Sequence, residues 1–85
     1  MAHTITIRYF ASLREALGAS ETLGITPGTT LGSLRDTLIA SSPAHAQALA
    51  RGRALRCALN QVMADEATSV PAGAEVAFFP PVTGG

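Results

Sequence analysis

The sequence ends in two glycines, Gly84 and Gly85, and their terminal carboxylate is the group best suited to chemistry. A main chain without side chains can enter a narrow site on another protein, because glycine allows close backbone approach. The preceding Pro80-Pro81 pair has no backbone N–H to donate, so the chain has to leave a sheet there and favours a stiff, extended path. Residues 80–85 are therefore predicted to form an extended tail, although a terminal Gly-Gly is also compatible with a frayed end.

The other reactive side chains are few and widely spaced. Cys57 is the only cysteine, and strand alternation places it inward, where a thiol acts as a small apolar residue rather than as a sulfur donor. His3 and His45 are candidate acid–base groups for which the sequence predicts no partner. Asp65 and Glu66 fit a solvated loop better than a metal site. We expect no metal site and no cofactor bound by this chain.

Charge and composition exclude several classes of function. Six arginines balance six acidic residues, and there is no lysine, so the formal net charge is zero. Nucleic-acid binding needs a concentrated basic stripe, and a Schiff base or an isopeptide acceptor needs a lysine. No apolar run approaches the roughly 20 residues that span a bilayer, and the first residues lack the pattern of a signal peptide. We expect a cytoplasmic protein that contacts neither membrane nor nucleic acid.

The elements that must hold the tail form one predicted domain over residues 1–79. Alternating apolar residues indicate strands, and an apolar stripe of helical period indicates the main helix. Two early strands, a crossover helix and later strands predict the α+β class, with a mixed sheet of about five strands and a helix packed on one face. The predicted strands cover residues 4–10, 21–26, two segments within 56–64 around Asn60-Gln61, and 75–79; the predicted helices lie between Ser12 and Gly18, between Thr30 and Ser42, and over 44–50.

Local patterns also predict the helix ends and the outer face of the main helix. Ser12 and Glu15 have the spacing of a capping box, in which each side chain satisfies a free backbone amide. Thr30 is a suitable N-cap for the main helix. Because the apolar stripe of that helix faces the sheet, Arg35 and Asp36 are predicted to face solvent.

Three segments carry a family resemblance. They occur in the same order as in that family, and the resemblance covers nearly the whole chain. They resemble the MoaD/ThiS family of ubiquitin-like sulfur carriers, above all the small subunit of molybdopterin synthase. The segments are Tyr9-Phe10-Ala11-Ser12-Leu13-Arg14-Glu15, Leu59-Asn60-Gln61 and Phe78-Phe79-Pro80-Pro81-Val82-Thr83-Gly84-Gly85.

This resemblance implies a β-grasp fold and a sulfur-carrier chemistry centred on Gly85. An ATP-dependent activating enzyme, similar to MoeB, adenylates the terminal carboxylate, and a sulfur donor converts the adenylate to a thiocarboxylate. The tail then enters the large subunit, MoaE, where the sulfur is transferred to cyclic pyranopterin monophosphate during molybdenum cofactor biosynthesis. The chain is thus expected to be one subunit of a sulfurtransferase complex and to catalyse nothing alone.

The resemblance also gives a meaning to three apolar side chains that fall on the outward phase of their strands, Phe10, Met63 and Phe79. In a β-grasp fold the first and last strands pair in parallel, so Phe10 and Phe79 would be neighbours at the base of the tail. Apolar residues that converge on a surface mark an interface. We predict that they dock on partner proteins together with Arg8 at the rim and with the tail residues Pro80, Pro81, Val82 and Thr83.

Three other functions remain open at the level of the sequence. A ubiquitin-like modifier would use the same terminal activation and then be conjugated to lysines of other proteins. A ThiS-type carrier would supply sulfur for the thiazole of thiamine. A plain binding domain would have a frayed tail without chemistry. The sequence does not specify the activating enzyme, the sulfur donor, conjugation to proteins or self-association of the chain.

Overall fold

The computed structural model describes residues 3–80, which form one five-stranded sheet with three helices packed on one face. The order of strands across the sheet is β2-β1-β5-β3-β4; β1 and β5 are parallel, and the other neighbours are antiparallel. The predicted mixed sheet of about five strands is confirmed. The elements are β1 (His3–Tyr9), α1 (Ala11–Leu17), β2 (Ser20–Ile25), α2 (Leu31–Ser41), α3 (Pro43–Ala48), β3 (Arg56–Leu59), β4 (Val62–Ala64) and β5 (Glu75–Phe79). No helix within the described part of the chain is long and apolar enough to cross a membrane.

The core lies between the helices and the face of the sheet that the strand alternation predicts. Alternate residues of β1 and β5 are almost fully buried there, and they pack against the apolar stripe of α2. Burial of this apolar surface is the main stabilising term for so small a domain. The largest buried side chains are Ile5, Ile7, Tyr9, Leu13, Leu31, Leu34, Leu38, Leu49, Val76 and Phe78.

The N-terminus of α2 begins at the predicted N-cap and docks on the loop between β4 and β5. The Thr30 hydroxyl accepts a hydrogen bond from the Ser33 amide, and the Ser33 hydroxyl accepts one from the Thr30 amide. Gly32 donates its amide to the Glu66 carbonyl at 2.9 Å. A Cβ atom at residue 32 would lie 3.1 Å from the Glu66 Cβ, so glycine is needed for this close approach.

Arg35 is buried, and its predicted exposure is therefore wrong. Only 4% of its surface is accessible. Its guanidinium donates to the carbonyls of Leu49 at 2.8 Å, of Ala50 at 2.6 Å and of Arg53 at 3.1 Å, and to the Glu66 carboxylate at 2.9 Å. The connection from α3 to β3 passes beside α2 with these carbonyls directed inward, and a buried carbonyl requires a donor.

Glu66 is also not the solvated loop residue that the sequence predicts. Its carboxylate accepts hydrogen bonds from Arg51 and from Arg35, which joins the β4–β5 loop to α2. Arg51 continues this network to the Asp36 carboxylate at 2.9 Å and to the Gly32 carbonyl at 2.8 Å. The Arg51 guanidinium holds the pKa of both carboxyl groups, Glu66 and Asp36, below their ordinary values.

The predicted capping box at Ser12 is wrong, because α1 begins earlier. Its N-cap is Phe10, which makes no side-chain cap, and its first residue, Ala11, has a φ of 54°. The Phe10 amide donates to the Phe78 carbonyl at 3.3 Å, so the chain turns into the helix directly after the parallel strand pair. The predicted end of α1 at Gly18 is confirmed, since that residue has a φ of 90° and its amide donates to the Arg14 carbonyl at 2.8 Å.

The hairpin between β3 and β4 explains the Asn60-Gln61 segment in structural terms. Both residues have positive φ values, 50° and 70°, as a two-residue turn between antiparallel strands requires. The Asn60 side-chain oxygen accepts the Glu75 amide at 2.9 Å, and the Asn60 amide donates to the Glu75 carbonyl at 2.8 Å. One residue thus closes the hairpin and ties it to the start of β5.

Candidate functional site

The face of the sheet opposite the helices carries two aromatic rings in contact. Tyr9 pairs with Phe78 in the parallel register, and the residue after each, Phe10 and Phe79, is on the open face. The centroids of these two rings are 6.4 Å apart, with the planes 85° from parallel, an edge-to-face pair. The Arg8 guanidinium carbon lies 5.9 Å from the centroid of the Phe10 ring. The structure therefore brings together three of the predicted partner-binding residues.

Met63 lies on the same face but further from the aromatic pair. The pairing register runs from Arg8 through Ala77 of β5 and Ala58 of β3 to Met63 of β4, so Met63 is two strands away from β5. Met63 is 54% exposed and Phe10 is 42% exposed, so no described loop covers either side chain. We call the surface formed by these residues the open-face patch: Arg8, Phe10, Ala58, Met63, Ala77 and Phe79.

The alanines of the open-face patch are a part of the site that the sequence analysis missed. Ala58 is 7% exposed although it faces away from the helices. It alternates with the inward Cys57, and this alternation was the available signal, but a small side chain does not stand out as an interface residue. Ala58 and Ala77 make a shallow floor between Met63 and the aromatic pair, which a partner's side chain can enter.

The tail leaves the sheet at the edge of the open-face patch. Phe79 is the last residue of β5, and Pro80, which follows it, is half-buried. The predicted tail residues Pro81, Val82 and Thr83 and the predicted reactive residues Gly84 and Gly85 lie outside the described residues, and their roles stay predictions.

A hydrogen-bonded network lies on the core side, beneath the aromatic pair of the open face. The Tyr9 ring stacks on Phe78 with centroids 6.5 Å apart, and its hydroxyl donates to the Glu21 carboxylate at 2.7 Å. His45, for which the sequence predicted no partner, has Nε2 2.8 Å from the same Glu21 oxygen and Nδ1 2.6 Å from the Ser42 hydroxyl. These contacts fasten α3 to β1 and β2, so the role of His45 here is structural.

The ionisation of this network follows from its burial and its contacts. Burial, and then the hydrogen bond to the Glu21 carboxylate, raise the pKa of Tyr9 well above its ordinary value. Partial burial alone would raise the pKa of Glu21, but the hydrogen bonds from His45 and Tyr9 outweigh it and lower that pKa. Glu21 therefore stays ionised at neutral pH and accepts both hydrogen bonds.

Cys57 is inward, as predicted. It is 6% exposed, and its thiol lies 3.3 Å from the Ala64 carbonyl. Burial raises the pKa of the thiol, so at neutral pH it is the protonated, weakly nucleophilic form. Among residues 3–80, no group of three or more His, Cys, Asp or Glu side chains is arranged to hold a metal ion.

The fold and the match to a family model define the class of protein. A mixed sheet with β1 and β5 parallel at its centre and helices on one face is the β-grasp arrangement of ubiquitin-like proteins, and a ubiquitin from Caldiarchaeum subterraneum superimposes over the whole chain with a TM-score of 0.60 at 16% identity. The chain belongs to the ThiS family, whose model matches residues 7–85. The predicted membership of the MoaD/ThiS family and the predicted β-grasp fold are thus confirmed.

Full-length relatives refine this assignment. Over 81 residues the chain is 40% identical to the molybdopterin synthase sulfur carrier subunit of Escherichia coli, an alignment that covers 95% of this chain and 99% of the relative. The subunit of the same name from Haemophilus influenzae is 35% identical with the same coverage.

Two solved structures extend the comparison. The structure of small archaeal modifier protein 1 from Haloferax volcanii has a TM-score of 0.75 at 26% identity and covers 93% of this chain and 98% of its own. A complex of subunits 1 and 2 of the molybdopterin-converting factor from Helicobacter pylori contains a chain with a TM-score of 0.62 at 25% identity, covering 96% of this chain and 99% of its own.

Proposed function

We propose that this chain is the sulfur-carrier subunit of molybdopterin synthase and that Gly85 carries the sulfur. The observation that carries the proposal is the match of the family model through residue 85, together with 40% identity to a relative of that name over 95% of the chain. The chain itself binds no metal or cofactor in this proposal; ATP is consumed by a MoeB-like activating enzyme.

The chemistry assigns the reacting group to the main chain. A free carboxylate is a poor electrophile, so the activating enzyme joins it to AMP and releases pyrophosphate. A sulfur nucleophile at the oxidation level of sulfide, supplied by the donor, then attacks the acyl carbon and AMP leaves, which gives a thiocarboxylate without a change of oxidation state. Its sulfur is a nucleophile that the tail delivers to the pyranopterin at high effective concentration. The buried, protonated Cys57 takes no part in these steps.

The open-face patch is the proposed docking surface for the large subunit. The complex from Helicobacter pylori supports a partner of this kind, since it joins subunits 1 and 2 of a molybdopterin-converting factor. Burial of an exposed aromatic ring against a partner contributes roughly 1.5–3 kcal/mol. Because Phe79 immediately precedes Pro80, docking of the patch would also direct the tail into the partner's active site.

Truncation of either aromatic residue tests the docking surface. Phe10→Ala and Phe79→Ala should each weaken the affinity for the large subunit by at least about tenfold, or 1.4 kcal/mol, with near-native melting temperatures. The fold should be spared because both rings lie outside the core. Isothermal titration calorimetry and thermal melts measure the two quantities.

Two control variants give this test its contrast. Val62→Ala removes an apolar side chain that is 68% exposed but lies in the inward register of β4, so it should bind normally. Phe78→Ala truncates a core residue and should cost several kcal/mol of stability. Normal binding by Phe10→Ala and Phe79→Ala, or melting as low as that of Phe78→Ala, would show that the docking surface is assigned to the wrong residues.

Substitution of the thiol tests whether Cys57 has any part in sulfur transfer. Cys57→Ala should lose about 1 kcal/mol of stability, because a small buried side chain is truncated, and should keep full sulfur transfer. Chemical denaturation and a molybdopterin formation assay measure the two effects. A folded Cys57→Ala protein that no longer transfers sulfur would make this thiol part of the mechanism.

A second candidate function is protein modification, and the similarity to small archaeal modifier protein 1 favours it. Activation of the terminal glycine serves both functions, and a shared fold does not choose between them. Because the chain has no lysine, the isopeptide bonds would be formed on other proteins. Adducts of higher mass that require Gly85, detected by blotting of cells that express the chain, would support modification.

A further inference from the structure

Ala11, the first residue of α1, adopts a backbone conformation that disfavours any residue with a Cβ atom. Its φ is 54°, in the left-handed region. At the other positions between residues 3 and 80, positive φ values fall on Gly18, Gly28 and Gly73, or on the Asn60-Gln61 hairpin turn, where such values are required. Ala11 is therefore a strained position that a glycine would occupy without strain.

Hydrogen bonds on both sides of Ala11 hold this conformation. The Tyr9 amide donates to the Ala19 carbonyl at 3.0 Å, and the Phe10 amide donates to the Phe78 carbonyl at 3.3 Å. On the helix side, the Leu13 amide donates to the Phe10 carbonyl at 3.1 Å, and the Leu13 side chain is buried in the core. Strain of this kind persists only where the surroundings fix the backbone, and it is concentrated at functional positions.

Ala11, the strained residue, directly follows Phe10, whose ring is part of the open-face patch. Phe10 lies between strand and helix, and its ring is close both to the Phe79 ring and to the Arg8 guanidinium. No side-chain cap stabilises this end of α1, so the turn from the sheet into the helix depends on the backbone conformation at Ala11 and on the backbone hydrogen bonds around it. In the left-handed region alanine is confined to a small range of φ and ψ, whereas glycine has a wide range. The Cβ atom of Ala11 therefore restricts how the Phe10 backbone is oriented relative to the helix.

We propose that Ala11 is a positioning residue: its strained, restricted backbone holds the Phe10 ring against Phe79 before the partner docks. The proposal rests on the proposed docking of the open-face patch on the large subunit. Pre-organisation of an interface residue reduces the ordering that binding requires. In this proposal Ala11 acts on docking only through Phe10, the residue before it.

Ala11→Gly tests the proposal, because it relieves the backbone strain at residue 11 and widens the range of φ and ψ that this residue can adopt. The melting temperature should equal or exceed that of the unmodified chain, whereas the affinity for the large subunit should fall by about fivefold. Ala16→Gly, an exposed position within the same helix, is the matched control and should behave oppositely, with a lower melting temperature and unchanged affinity. In a double-mutant cycle, Ala11→Gly should have no further effect on affinity once Phe10→Ala is present.

A second measurement on the isolated chain separates this inference from the proposed function. Nuclear Overhauser contacts between the Phe10 and Phe79 rings should be weaker in Ala11→Gly than in Ala16→Gly. The positioning role would be overturned if Ala11→Gly changed neither the ring contacts nor the affinity. It would also be overturned if Ala11→Gly weakened the affinity as much in the Phe10→Ala background as it does in the unmodified chain. Weakened ring contacts in a chain that does not bind the large subunit at all would uphold the positioning role and overturn the proposed partner.

Discussion

Deletion of Gly85, or addition of residues after it, is expected to abolish molybdopterin formation and to leave the melting temperature unchanged. In the proposed mechanism the reacting carboxylate is the terminal one, and it has to reach a fixed point in the partner. Removal of one residue shortens an extended tail by about 3.3–3.6 Å. Since a misplacement of about 1 Å can reduce a rate roughly a hundredfold, the loss should be larger than that.

A tag placed at Met1 is the matched control for this experiment. It adds the same residues at the other terminus, and it should leave molybdopterin formation intact. A protein with an additional C-terminal segment, shown by mass to be uncleaved, that still supports molybdopterin formation would contradict the sulfur-carrier mechanism.

Arg35→Ala is expected to destabilise the fold by about 3–5 kcal/mol, because three loop carbonyls lose their donor and each unsatisfied group of this kind costs about 1–3 kcal/mol. These are the buried carbonyl of Leu49 and the part-buried carbonyls of Ala50 and Arg53. A small domain has a total stability of about 5–15 kcal/mol, so this loss is a substantial fraction of the total and should clearly lower the denaturation midpoint. Urea denaturation measures the effect.

Arg51→Ala is the control for Arg35→Ala, since both arginines bind the same Glu66 carboxylate. The Arg51 side chain is 45% exposed, and an exposed ion pair contributes at most about 1 kcal/mol. Because both variants remove one cation from Glu66, the difference between them measures the loss of the donor to the loop carbonyls rather than the loss of charge. Equal destabilisation by Arg35→Ala and Arg51→Ala would show that the loop carbonyls do not depend on Arg35.

The elements of the fold were predictable where the cause is local. Alternation along β1 and β5 gave the inward residues, Thr30 gave the start of α2, and Gly18 gave the end of α1. Arg35 was not predictable, because its partners are carbonyls of a later loop that reaches α2 only in the folded chain. The capping pattern at Ser12 is not used, because the chain turns into α1 directly after the parallel pair of β1 and β5 and the helix begins at Ala11.

The proposed docking surface shows the same division between local and tertiary causes. The outward phase of Phe79 follows from alternation, and its contact with Phe10 follows from the parallel pairing that the family resemblance implies. The strain at Ala11 has no signal in its residue type, because alanine ordinarily favours a helix. For Ala58 the only feature in the sequence that indicates an outward side chain is its alternation with Cys57. Its place in the shallow floor of the open-face patch depends on the strands paired beside it.

The intact mass of the chain after co-expression with its activating enzyme and a sulfur donor tests the central claim most directly. Replacement of one oxygen of the terminal carboxylate by sulfur adds about 16 mass units, and fragmentation should locate the added mass at Gly85. The proposed mechanism predicts this thiocarboxylate species. It also predicts that the added mass is lost when the thiocarboxylate is hydrolysed and is not formed when Gly85 is deleted. An unchanged mass in the presence of an active activating enzyme, or added sulfur located at Cys57, would contradict it.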